Sequence, residues 1–309
     1  MTPKILCCGE ALIDMLPRTA TDGGDAFAPH PGGAVFNTAI ALGRLGQATG
    51  FFSGLSNDLF GARLSAALAD SGVDASQAHR SERPTTLAFV TLTEGQASYA
   101  FYDENTAGRM LSEADLPEVS EDTDALFFGG ISLAVDPCAS AYTTLLERVS
   151  ATRLVMCDPN IRPSFVSDEP AFRARLERVL AHSDVVKLSD EDLHWIAGAG
   201  DLETLAREIL AKGPKVVCIT EGSKGVTAYT SGGAVSVAAT PVEVVDTVGA
   251  GDTFNAGFLA GLAEAGALSK SALAEAPEAI LSQALSLGTK AAAITVSRAG
   301  ANPPTRAEI

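Results

Sequence analysis

The stretch Asp246-Thr247-Val248-Gly249-Ala250-Gly251-Asp252 sets two acids on either side of three small residues. Gly249, Ala250 and Gly251 leave a row of backbone N–H groups uncovered by bulky side chains. The run before it, Pro241 to Val245, is apolar and β-branched; the run after it, Asn255 to Ala265, is small and helix-compatible. The stretch therefore reads as strand, tight turn and helix N-terminus. The first N–H groups of a helix lack internal partners, and the helix dipole is positive there. Such a turn suits an anion, or negative charge that develops during a reaction. Asp252, beside that positive end, is expected to stay ionised, which suits a general base. It reads equally as a helix-capping Asp.

Two further places have residue types that need a reason. Pro31-Gly32-Gly33-Ala34-Val35-Phe36-Asn37 brings two glycines, which allow close backbone approach, to Asn37 at the head of a small-residue helix from Thr38 to Leu45. Asn37 is either a helix-start residue or a contact for a hydroxylated ligand. Asp14 sits among Leu12, Ile13, Met15 and Leu16. An unpaired buried carboxylate is costly, so Asp14 is half exposed at a strand end or faces a polar ligand.

The elements that must hold these residues alternate. Lys4 to Cys8 reads as a buried central strand, followed by an extended segment and a polar loop. Thr85 to Thr93 and Gln96 to Asp103 flank Glu94-Gly95 as a hairpin, with Leu87 and Phe89 on one face and Ala88 and Val90 on the other. From Ala125 onward strand and helix take turns: strands over 125–128, 153–157, 184–188 and 216–220, helices over 138–149, 172–181 and 202–210. A second hairpin covers 226–237, and helices fill 272–293. This pattern predicts a mostly parallel sheet with helices on both faces and a separate small sheet. Ligands in such sheets lie at the carboxyl ends of strands. Polar clusters fall at those ends: Asp158/Asn160/Arg162, Lys187/Ser189/Asp192 and Thr220/Gly222/Ser223.

Composition bounds the function. The 309 residues are 46 % hydrophobic and 19 % charged, enough for a substantial core. Twenty-two basic and 38 acidic side chains give a net charge of −16, and no basic run occurs, which argues against nucleic acid as a partner. The five cysteines make no C-x-x-C and sit in or near apolar stretches. With no signal peptide read at the N-terminus, buried thiols in a reducing cytoplasm are expected. No apolar run is expected to approach the roughly 20 residues that span a bilayer.

Several chemistries lack their motifs. There is no G-x-x-x-x-G-K-[ST], no G-x-G-x-x-G after the first strand, and no G-x-S-x-G. The four histidines have no metal-ligand spacing. An NAD-linked oxidoreductase and an α/β-hydrolase are poorly supported.

The two glycine elements together, Gly32-Gly33 with Asn37 and Asp246 to Asp252, resemble the two signatures of the ribokinase (PfkB) carbohydrate kinase family. The resemblance covers essentially the whole chain. Within the family it leans toward bacterial fructokinases, through Cys8-Gly9-Glu10-Ala11-Leu12-Ile13-Asp14, Phe101-Tyr102-Asp103-Glu104-Asn105-Thr106-Ala107 and Asp158-Pro159-Asn160-Ile161-Arg162-Pro163. It implies one Rossmann-like three-layer α/β domain over 1–309 with a small β-sheet lid inserted from about 12–31 and 85–107. It implies ATP-dependent phosphorylation of a sugar hydroxyl, with Asp252 as general base and Gly249, Ala250 and Gly251 as anion hole. Asp14, Gly32, Gly33, Asn37, Phe101 and Arg162 take sugar-side positions; Lys187, Thr220, Gly222, Ser223 and Gly225 take nucleotide positions. ATP and Mg²⁺ are implied. The family's N-x-x-E element is replaced by Ser189 and the shorter Asp192, which would reach Mg²⁺ through water. Asp246, Val248 and Gly300 match part of a monovalent-cation loop, which points to K⁺. An apolar lid face suggests a homodimer.

The sugar is read by elimination. A 2-keto-3-deoxygluconate kinase must bind a carboxylate, yet Phe101-Tyr102-Asp103 offers no cation. A nucleoside kinase wants more stacking surface than Phe89 and Phe101 supply. Ribose stays open. A neutral hexose, fructose first, is expected. The alternative of another class is a non-catalytic sugar- or nucleotide-binding protein, against which an intact Asp252 argues.

Overall fold

In the first strand, β1 (Ile5–Cys8), every side chain is buried: Ile5 and Cys7 face one core layer, Leu6 and Cys8 the other. A strand apolar on both sides belongs in the middle of a sheet covered on both faces. That is its place in the computed structural model, which describes residues 4–93 and 96–309. After β1 come β2 (Leu12–Thr19), β3 (Asp25–Gly32), α1 (Ala34–Arg44), β4 (Thr49–Phe52), β5 (Gly54–Ser56), α2 (Leu59–Asp70), β6 (His79–Ser81), β7 (Leu87–Thr93) and β8 (Gln96–Tyr102). The regular part follows: β9 (Ala125–Gly129), α3 (Cys138–Val149), β10 (Leu154–Asp158), α4 (Glu169–His182), β11 (Val185–Ser189), α5 (Asp190–Ala197), α6 (Leu202–Leu210) and β12 (Val216–Thr220). The chain closes with β13 (Val226–Thr230), β14 (Gly233–Val237), α7 (Ala250–Glu264), α8 (Lys270–Ala274) and α9 (Glu278–Val296).

The large sheet has eight strands in the order β14-β13-β12-β11-β10-β9-β1-β4. It is parallel from β12 to β4, with β13 and β14 antiparallel at one edge. Helices α1, α2, α7 and α9 pack on one face, α3 to α6 on the other. The fold is thus a three-layer α/β sandwich with a small lid sheet, as the alternation of elements predicts.

The lid is a four-stranded sheet in the order β3-β2-β7-β8. Asp14 pairs with Ala88, and Ala88 with Phe101, so these three share a face. Met15 pairs with Phe89 and Pro29, which sets the opposite face. There Phe89 meets Phe27 at 5.0 Å and Tyr102 at 5.3 Å between ring centroids. The predicted Glu94-Gly95 turn lies outside the described residues.

Four expectations need correction. The segment read as a polar loop after β2 is strand β3, which forms the free edge of the lid and so tolerates Pro29 and Pro31. The run Pro241 to Val245 is not a strand; it is irregular, with Val244 and Val245 each 60 % exposed. Helix α1 begins at Ala34, so Asn37 falls in its first turn rather than at its head. Finally, α9, with 19 residues, is long and apolar enough by length and composition to cross a membrane. Its Leu281, Ala284, Leu285 and Leu287 instead bury against the sheet side of α7.

Candidate active site

Asp252 lies in the first turn of α7 and is buried. Its carboxylate accepts a hydrogen bond from the Asn37 side-chain amide at 2.9 Å. The Thr38 hydroxyl donates to the Asp252 carbonyl at 3.2 Å, so two successive residues of α1 hold the start of α7. Burial pushes the Asp252 carboxyl up to about 7, against the pull of the Asn37 amide; Asp158 and Glu10 add to the rise and Lys187 opposes it. Burial thus works against the helix end, which favours the ionised form of Asp252. A carboxyl raised by desolvation toward neutrality suits a general base.

The turn before it opens α7 without a side-chain cap. Gly249 has φ +77°, and a Cβ there would stand 2.7 Å from the Ala301 methyl, so both conformation and space require glycine. Among the described residues the amides of Gly251 and Asp252 meet no acceptor. They point out of the helix start as donors for negative charge. Asp246 braces the turn: its two oxygens accept from the amides of Val248 at 3.0 Å and Gly300 at 2.9 Å.

A buried cation backs the turn. Lys187 Nζ donates to Asp158 at 3.0 Å, and Asn255 Nδ2 donates to the same oxygen at 2.8 Å. A Cβ added at Gly251 would lie 3.0 Å from Lys187 Nζ. Burial works against the charge on Lys187, but Asp158 and Asp192 more than offset it, and the pKa stands above its ordinary value. Asp192 lies in the first turn of α5 as half of a capping box with Ser189, so the polar cluster at the end of β11 runs into a helix start. Its two oxygens accept from Ile161 N at 3.0 Å and Ser189 N at 3.4 Å. Both are committed to backbone donors. Among the described residues no group of three or more His, Cys, Asp or Glu side chains is set to hold a metal. A direct magnesium cage is therefore a poor fit to this donor set.

Two cavities meet at the turn. The first, about 470 Å³, is mostly apolar: Val226, Pro241, Val242, Val244, Phe254 and Val296 line it, with Thr220, Gly222, Ser223 and Gly225 at one end. This explains the correction above, because Pro241, Val242 and Val244 serve as a cavity wall, not as a strand. The second, about 270 Å³, is polar and lies under the lid. Asp14, Gly33, Asn37, Tyr99, Phe101, Asn160 and Arg162 line it, with Lys187 and Asp252 at its floor. Thr247, Ala250 and Gly251 belong to both walls. Lys187, expected with the nucleotide set, faces the polar cavity. Gly32 does not line it but stands beside the Asp14 carboxylate.

Within the polar cavity, burial pushes Asp14 up to about 6. Arg162 donates to the carbonyls of Ile161 at 3.1 Å and Asn160 at 3.4 Å and, among the described residues, forms no ion pair. Phe101 stacks on Tyr99 and meets Phe165 edge-on at 4.8 Å, a contact between the lid and the loop after β10. Tyr99 and Glu10 are wall residues that sequence reasoning missed. Alternation with Phe101 could have found Tyr99. Glu10 had a signal too, an acid directly after a buried strand.

A family model described as pfkB family carbohydrate kinase matches residues 2–308. A fructokinase of Rhizobium leguminosarum bv. trifolii is 53 % identical over 277 residues, covering 90 % of this chain and 85 % of that one. The crystal structure of a fructokinase with bound ATP from Xylella fastidiosa superposes with a TM-score of 0.86 at 31 % identity, covering 96 % of this chain and 93 % of that one. A double-mutant fructokinase of Vibrio cholerae O395, solved with fructose, ADP and potassium ion, superposes with a TM-score of 0.86 at 26 % identity, covering 97 % and 94 %.

Proposed function

The chain belongs to the pfkB family of carbohydrate kinases, and on that premise we propose that it transfers the γ-phosphoryl group of ATP to a hydroxyl of fructose, giving fructose 6-phosphate. The observation that carries this reading is the junction of the two cavities: Asp252 and the uncapped turn stand between an apolar cavity suited to a nucleotide base and a polar one suited to a sugar.

In-line phosphoryl transfer asks for positioning and charge stabilisation more than covalent help. In this reading ATP lies in the apolar cavity with its phosphates running toward Gly251. The free amides of the turn and the cation of Lys187 take up charge on the transferring group. The sugar lies under the lid, held by Asp14, Asn37 and the Gly33 backbone. Asp252 removes the proton from the attacking hydroxyl as the O–P bond forms and ADP leaves. Phe101, braced by Phe165, keeps water off the site.

A neutral sugar is favoured by how the lid spends its charge. Asp103 directly follows lid strand β8, and its carboxylate is taken by Arg109 at 2.6 Å. That cation is therefore not free to receive a sugar carboxylate, while Arg162 in the polar cavity fits a neutral or an acid sugar alike and does not separate them. ADP formation with fructose, 2-keto-3-deoxygluconate, ribose and adenosine tests the choice. Saturation by the acid sugar and not by fructose would reverse it.

Magnesium travels with the ATP phosphates in this reading and supplies charge neutralisation there. Asp192 could reach it only through water. Asp246, Val248 and Gly300 adjoin one another, which supports the monovalent-cation loop. The exposed Phe27 and Tyr102, 44 % and 62 % exposed, support pairing of two lids in a homodimer. Light scattering that finds only monomer would reject it. Five free, buried cysteines support a reducing cytoplasm.

A further inference from the structure

Helix α1 carries the two residues that grip α7, yet it has no cap of its own. Its N-cap is Gly33, which has no side chain to offer the first amides. The missing acceptor comes from Glu10, 24 positions earlier: Glu10 Oε1 accepts from Ala34 N at 2.8 Å. The other oxygen accepts from Ser132 N at 3.4 Å. The Glu10 backbone carbonyl accepts from Phe36 N at 3.2 Å. Gly130 makes room for the carboxylate; a Cβ there would stand 2.1 Å from Oε1. Glu10 is 8 % exposed. Burial pushes its carboxyl up to about 7, while the donors around it pull the other way. A buried acid is costly unless its bonds are needed, and the catalytic scheme gives this one no task.

We propose that Glu10 is a positioning residue for the base: it caps α1 from outside the helix and so sets the Asn37 amide against Asp252. Each link is a contact already described. Glu10 fixes Ala34, Ala34 opens α1, Asn37 stands one turn on, and its amide meets Asp252. Although Glu10 borders the polar cavity, both its oxygens are engaged by backbone donors. It acts through α1 and not on the sugar. The inference rests on the kinase reading above.

A double-mutant cycle tests it, with fructose and ATP as substrates for the wild type, Glu10→Ala, Asn37→Ala and the pair. Each single change is expected to lower kcat about tenfold, and the pair to fall within about twofold of Asn37→Ala alone, because both remove one device. KM for ATP should stay put. Glu10→Gln, which keeps one acceptor for Ala34, should recover part of the loss. Multiplicative losses, an unchanged kcat in Glu10→Ala, or a KM for ATP that climbs as kcat drops would each overturn the proposal. Should Glu10→Ala not fold, the same cycle run with Glu10→Met, which keeps the bulk and offers Ala34 no comparable acceptor, decides it. A wild type inactive on every sugar defeats the kinase reading; an active wild type with multiplicative losses defeats only this inference.

Discussion

Asn37 and Asp252 are 215 positions apart in the chain and 2.9 Å apart in the fold, joined by a bond from the amide to the carboxylate. The resemblance implies a sugar contact for Asn37; in the structure its amide holds the base. The two roles are compatible, since the amide has a second N–H and an oxygen to offer.

Replacing the base should separate binding from turnover. Asp252→Asn keeps the shape and can still meet Asn37. It is expected to bind fructose and ATP by calorimetry while kcat falls by roughly 10² or more, the usual worth of a general base. Near-wild-type turnover in a clean preparation would reject the assignment.

The pH dependence follows from burial. The base works only when deprotonated, so kcat should decline as pH falls through about 7, the value to which burial raises Asp252. Asn37 stabilises the charged form. Asn37→Ala should therefore move this acid limb to higher pH, and a full pH–rate profile reads the shift. A limb that stays in place or moves down contradicts the assignment.

The same shift bears on stability. Burial in the fold raises Asp252 to about 7 from its ordinary 3.8. A group raised on folding contributes stability below its unfolded pKa and loses it as pH rises through the folded value. The wild type should thus lose Tm relative to Asp252→Asn between about pH 4 and pH 7, with the gap constant above that window. Parallel Tm curves across the range would show that this carboxyl is not raised.

Lys187 is expected to matter to the fold as well as the reaction. Lys187→Met leaves the buried Asp158 without its counter-charge, held only by the neutral donors Asn255 Nδ2 and Asn160 N. Breaking one side of a buried pair costs about 3–5 kcal/mol. Chemical denaturation should show a lower midpoint, and an unchanged midpoint would mean that the pair is not coupled to folding.

Much of this was legible in the chain. Helices Cys138–Val149 and Leu202–Leu210 and strand Val216–Thr220 agree with the expected bounds, because apolar runs there do one job, filling a core. Where residues serve a ligand or a lid, the same signals mislead. Pro241, Val242 and Val244 look like part of a strand because a cavity wall also needs apolar side chains. Strand β3 looks like a loop because it is an edge with little core to face. Charge states were the least legible: helix position argues for an ionised Asp252, and only its burial in the fold shows the opposing desolvation. The role of Glu10 depends on Gly33 lacking a side chain and on Ser132, 122 positions away, which no local pattern connects.

Thr247, Ala250 and Gly251 front both cavities, a single party wall between donor and acceptor. Preference for the nucleotide and preference for the sugar are thus inherited together through that wall. An engineer seeking a new acceptor would leave those three residues untouched and recut the far side at Tyr99, which lines the polar cavity and not the apolar one.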